Sequence, residues 1–105
     1  MSWREHILDA HLAVTDMVRH SEYIESDRYF VWQEDGRTDL MADGIHAEKA
    51  VTGTTDLFTK DELYQWAEEL EEAFDASPYI FWKLNSKQYE EDTGFYHYEW
   101  RWEVI

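Results

Sequence analysis

Cysteine is absent from this chain, proline occurs once, and the 105 residues include only four glycines. Without cysteine there is no disulfide, no thiolate metal ligand and no cysteine nucleophile. The glycines stand at 36, 44, 53 and 94, too scattered to build a phosphate-cradling loop. No serine sits in a Gly-x-Ser-x-Gly turn. No apolar run approaches the roughly 20 residues that span a bilayer, and residues 1–20 carry charges throughout, unlike a secretory signal. The expected setting is a cytoplasm or an assembly built there. Bases are also scarce: nine Lys and Arg stand against 24 acids, for a net charge of −15. Such a surface repels phosphates, which argues against nucleic-acid binding and against docking on an anionic membrane.

What is abundant is aromatic side chain, at 17% of residues within an apolar fraction of 44%. These are globular values, and 105 residues make one domain, residues 1–105, able to bury roughly two-thirds of its unfolded surface. The last eleven residues alternate: Tyr96, Tyr98, Trp100, Trp102 and Val104 fall on one side of an extended backbone, and His97, Glu99, Arg101 and Glu103 on the other. Period-two alternation marks a half-buried strand. Its aromatic stripe must be covered by helices or by another subunit. Six tryptophans and seven tyrosines exceed the usual needs of a small core, so some rings are expected between subunits.

Ser2 with Glu5 fits a capping box, opening a helix over about 3–20 with a stripe of Trp3, Ile7, Ala10, His11, Val14 and Val18. Residues 21–28 read as a polar loop and 28–33 as a strand. Residues 34–37 (EDGR) and Asp43-Gly44 are turn signals. Residues 45–58 are strand-like, and Gly53 in their middle suggests a bulge or a close backbone approach. Thr59 to Glu62 is a second capping box, predicting a helix over about 60–75 that buries Leu63, Trp66, Ala67, Leu70 and Phe74. Pro78 lies beyond its end. Strands follow at 79–84 and 86–91, then a turn at 92–94 and the final strand. The expected class is α+β, a two-layer sandwich with a mainly antiparallel sheet, both helices on one face, and the order α-β-β-α-β-β-β.

Chemistry is hard to find. His6 and His11 are five apart, off metal-ligand spacing on a helix. His46 and Glu48 can share a strand face, but two ligands fall short of the three or four that zinc takes. The remaining reading is that the five histidines lie at the surface or rim. Runs of exposed carboxylates are ordinarily solvated, and a catalytic carboxylate needs burial or a close partner. The expectation is therefore no enzyme, no cofactor and no metal ion.

The segment VTGTTDLFTK at 51–60, the acidic helix after it, and LNSKQYEEDTGFYHYEWRWEV at 84–104 together resemble small tail proteins of bacteriophages and prophages of Gram-positive bacteria. The group resembled is the tail-completion or tail-terminator proteins. The likeness spans about residues 28–105, is sharpest in the last twenty, and rests on strand and turn residues. It implies a homo-oligomeric ring, possibly a hexamer, at the head-proximal end of the tail tube. There the ring contacts tail-tube protein and head–tail connector, so the location is the virion tail, with assembly in the host cytoplasm. No catalytic residue comes with the resemblance. An acidic ring lining would let DNA slide past. Exposed strand and hairpin positions, Arg37, His97, Glu99 and Arg101, are the expected subunit or tube contacts.

A rival of another class is an acidic mimic of DNA that occupies a host DNA-binding or defence protein. Its phosphate-like carboxylates would be Glu68, Glu69, Glu71, Glu72 and Asp75, in a stretch of seven acids and no base between 61 and 75.

Overall fold

The computed structural model describes residues 2–39, 49–62 and 64–105. They form α1 (Trp3–Leu12), β1 (Val18–His20), β2 (Arg28–Asp39), β3 (Lys49–Thr59), α2 (Tyr64–Ala76), β4 (Ile80–Glu90) and β5 (Phe95–Val104). The class is α+β. Five strands lie in the order β1-β2-β3-β5-β4, and every pairing is antiparallel except β1 with β2.

The order of elements is α-β-β-β-α-β-β, which corrects the expected one in several places. Helix α1 begins as read, with the Ser2 hydroxyl accepting from the Glu5 N–H, but it stops at Leu12. The His11 carbonyl takes the N–H groups of both Val14 and Thr15, and the Thr15 hydroxyl takes that of Met17, so the last turn closes on itself. Val18 then pairs with β2 opposite Phe30. Val14 and Val18 still pack on the main core, from a turn and a strand instead of a helix.

Residues 34–37 do not turn the chain. They lie inside β2, where the register jumps from Glu34 opposite Gly53 to Gly36 opposite Thr52 and leaves Asp35 as the extra residue of a bulge. A second bulge between Leu84 and Ser86 joins the two strands expected at 79–84 and 86–91 into the single β4. Thr59 belongs to β3. Its hydroxyl donates to the Asp61 carbonyl and accepts the Asp61 N–H, so the capping box does not form and α2 starts at Tyr64. The turn at 92–94 holds, with Gly94 in the left-handed region at φ 75°. The Asp43-Gly44 turn, His46, Glu48 and Leu63 lie outside the described residues.

Both helices contribute to one apolar cluster. Ile7 and Ala10 of α1 and Ala67, Leu70 and Phe74 of α2 meet Phe30, Trp32, Leu57, Tyr98, Trp100, Trp102 and Val104 of the sheet. The aromatic stripe of β5 is thus roofed by the chain's own helices. Trp100 is fully buried and Tyr98 and Trp102 nearly so, so of the two covers open to this stripe, helices or another subunit, it is the chain's own helices that supply it. The two-layer description also needs amendment. The other face of the sheet carries a smaller cluster of Tyr29, Val31 and Phe58, against which Met17, Ile24 and Phe95 pack.

Gly53 is required by a close approach. A Cβ there would meet the Gln33 carbonyl and the Trp102 ring, whose Cζ2 would lie 2.6 Å away. Gly53→Ala is accordingly expected to destabilise by about 1–3 kcal/mol in urea unfolding. Gly36→Ala, where the new atom meets only the Thr52 hydroxyl at 3.5 Å, should change little. Equal effects of the two exchanges would remove the steric argument.

Candidate functional site

Strand alternation sends every second side chain of β5 away from the helices. His97, Glu99, Arg101 and Glu103 therefore share the open face of the sheet with Thr52, Thr54 and Asp56 of β3, their register partners. Three of the four expected contact residues, His97, Glu99 and Arg101, stand together there. Arg37 does not join them. It pairs with Val51, a residue of the helix-covered core, so its side chain leaves β2 on the opposite side.

His97 is the most constrained group on the open face. Its Nε2 lies 2.8 Å from Asp56 Oδ1 and its Nδ1 3.3 Å from Glu90 Oε2, and its ring stacks on Phe58 at 4.3 Å. The hydrogen bond to Asp56 is the largest influence raising its pKa above the ordinary histidine value; partial burial opposes, and the charges of Asp56 and Glu90 add to the rise. The carboxylates beside its two nitrogens stabilise the protonated ring, in which both N–H groups would be committed to them. The arrangement clips β3, β5 and β4 together. Glu99 stands directly across from Asp56, so this end of the face gathers acids around the His97 ring.

The other end is different. Asp35, the bulge residue, accepts the Thr52 hydroxyl at 2.6 Å and an Arg101 N–H at 3.4 Å. Arg101 stands directly across from Lys83 of β4. Beside this pair a hollow of about 340 Å³ opens, walled by Phe81, Trp82, Lys83, Arg101 and Glu103 among others.

The acids of α2 divide into two sets. Glu71 accepts the Trp100 indole N–H at 2.9 Å and Asp75 that of Trp82 at 2.8 Å, so two of the five carboxylates of the DNA-mimic reading are committed to tryptophans of the sheet. Glu69 accepts from Gln65. Glu68 and Glu72 are exposed, and neither takes a hydrogen bond or ion pair from another described residue.

The other histidines divide between packing and core. His6 stacks on Tyr79 at 4.2 Å, and His20 pairs with Glu34 at 2.6 Å beside Trp32. His11 is completely buried, which corrects its placement at the surface or rim. Among the described residues no group of three or more His, Asp or Glu is arranged to hold a metal ion, and no helix is long and apolar enough to cross a membrane.

Asp35, Asp56, Glu90 and Lys83 carry no signal in the sequence. Each gains its place through cross-strand register, which no local pattern announces. No protein-family model matches the chain, and no curated protein matches it.

Proposed function

We propose that the protein is a non-catalytic assembly component that docks on its neighbours through the open face of its sheet, and that the assembly is a ring of the tail-completion type. The observation that supports this reading is the open face itself. It presents His97, Asp56, Glu90, Arg101 and Asp35 in fixed mutual geometry beside Lys83 and Glu99, which make no side-chain hydrogen bond or ion pair among the described residues. Charged groups held in place by hydrogen bonds are suited to recognising a partner, because little side-chain freedom is lost on contact. The helix-covered aromatics cannot serve, so contacts must come from this polar face, the sheet edges or the outer faces of the helices.

A ring needs a heterologous contact, one surface of a copy meeting a different surface of the next. Multi-angle light scattering of the purified chain is expected to show a single closed stoichiometry, seen as rings by electron microscopy and binding the ends of purified tail tubes. Monomer at every concentration, with no binding to tubes, would remove this reading.

A further inference from the structure

Lys83 and Arg101 are an unusual placement of scarce cations. The chain has nine bases, and most of the described ones are engaged within the fold: Arg4 over Trp32, Arg28 over Trp66, Lys60 over Phe95, and Lys87 with Glu62. Yet Lys83 and Arg101 are set directly opposite one another across β4 and β5, where like charges destabilise a strand pair. Arg101 is only partly satisfied, by Asp35 at 3.4 Å. Lys83 is exposed and has no ion pair or hydrogen bond among the described residues. Both wall the hollow beside them, together with the Glu103 carboxylate, next to the half-exposed ring of Phe81. Paired cations at the mouth of a hollow, with an apolar ring alongside, are a receptor for paired carboxylates on methylene stems.

The chain carries a matching donor. Glu68 and Glu72 are one turn apart on the outer face of α2, which places their Cβ atoms about 5–6 Å apart. Directly opposed residues of an antiparallel pair, such as Lys83 and Arg101, have Cβ atoms about 5 Å apart. Glu71 and Asp75, by contrast, accept the indole N–H groups of Trp100 and Trp82, while Glu68 and Glu72 are exposed and take no hydrogen bond or ion pair from another described residue.

We infer that the hollow at Lys83 and Arg101 receives the Glu68 and Glu72 carboxylates of a second copy of the chain. The inference rests on the assembly reading and supplies its contact. Donor and receptor lie on opposite faces of the sheet, so every copy presents one of each and the contact is head-to-tail, closing into a ring where the rotation allows.

The test uses two double variants of the full chain, Lys83→Glu with Arg101→Glu, and Glu68→Lys with Glu72→Lys. All four positions are exposed, and circular dichroism and urea midpoints check that both variants fold as the wild type does. Each alone is expected to need at least tenfold higher concentration to associate in sedimentation velocity. Mixed one to one they should associate again, because the donor of each then meets a receptor of opposite charge. General repulsion cannot imitate this pattern. The two Glu→Lys exchanges reduce the magnitude of the −15 net charge, so repulsion alone would make that variant associate more readily. A wild type that assembles while either variant assembles equally well, or while the mixture fails to recover, overturns the docking contact and leaves the assembly reading standing. A wild type that stays monomeric removes both. Saturable binding of glutamate or phosphate to that monomer, lost in Lys83→Glu with Arg101→Glu, would assign the hollow to a free anion instead.

Discussion

Trp102→Ala is expected to lower unfolding stability by about 3–5 kcal/mol, the range for deleting a large aromatic from a packed core. The residue is 2% exposed. Its ring lies over Gly53, which has no side chain to displace it, and tilts against Trp32 at 6.5 Å. Its indole N–H donates to the Thr55 hydroxyl at 2.9 Å, deep in the core. Deletion therefore opens a cavity and strips the Thr55 oxygen of a donor at the same time. For a small domain of roughly 5–15 kcal/mol total stability, that is a large share. Gly53→Ala supplies the cross-check. In the Trp102→Ala background the new methyl no longer meets the ring, although the Gln33 carbonyl remains in its way. The two exchanges together should cost measurably less than the sum of each alone. Urea unfolding reads both effects, and a loss below about 1 kcal/mol for Trp102→Ala would contradict the packing described.

Trp102 also belongs to the part of the fold that sequence pattern alone makes legible. The alternation in β5 is visible because burial on one face and solvent on the other impose a period of two, and Tyr98, Trp100, Trp102 and Val104 are indeed its buried set. In α2, Ala67, Leu70 and Phe74 follow the helical period for the same reason. The pattern misled where two geometries satisfy it equally. Val14 and Val18 continue the stripe of α1 by spacing, yet they reach the core from a turn and a strand. Asp35-Gly36 looks like a chain reversal and the chain around Asn85 like a break between two strands, but each sits at or beside a bulge that lets one strand continue, since bulges favour residues that also break strands.

For the candidate site, His97, Glu99 and Arg101 were legible as one face of one strand. Their companions were not, because Asp56, Glu90 and Lys83 depend on register across three strands, and a slip of one residue would send each to the other face. Two of the acids on α2 have a local role that sequence alone does not disclose: Glu71 accepts the indole N–H of buried Trp100, and Asp75 that of the partly buried Trp82. Of the many aromatics, those on the inner stripe of β5 are covered within one chain, while Tyr23, Tyr79, Phe81 and Tyr89 remain exposed.

His11 gives the strongest expected dependence on pH. It is completely buried, and its Nδ1 lies 2.7 Å from the Ile7 carbonyl, so that nitrogen carries the proton. Nε2, 2.9 Å from the Thr55 hydroxyl, then accepts, while the same hydroxyl accepts from Trp102. Its ring contacts come from β2 and α2, in T-shaped arrangements with Phe30 and Phe74, so none of the groups bonded to it or packed on it is ionisable. A charge here would be desolvated without a counter-ion. Burial accordingly lowers the pKa to about 4, with the Ile7 carbonyl opposing only in part. The folded value lies below the unfolded one, near 6.5, so the unfolded chain takes up a proton first as pH falls. The stabilisation is fully present above 6.5, falls by about 1.4 kcal/mol per pH unit between 6.5 and 4, and is then exhausted, for a total of about 3 kcal/mol. His97 acts in the opposite sense. Its raised value makes its contribution complete below 6.5 and lost as pH rises through the folded pKa. Urea midpoints between pH 7 and 4 should therefore fall more steeply for the wild type than for His11→Gln, by close to one proton. That comparison cancels the background of the many surface carboxylates. Parallel curves for the two proteins would show that His11 titrates normally and that the Ile7–His11–Thr55–Trp102 chain of hydrogen bonds does not hold it neutral.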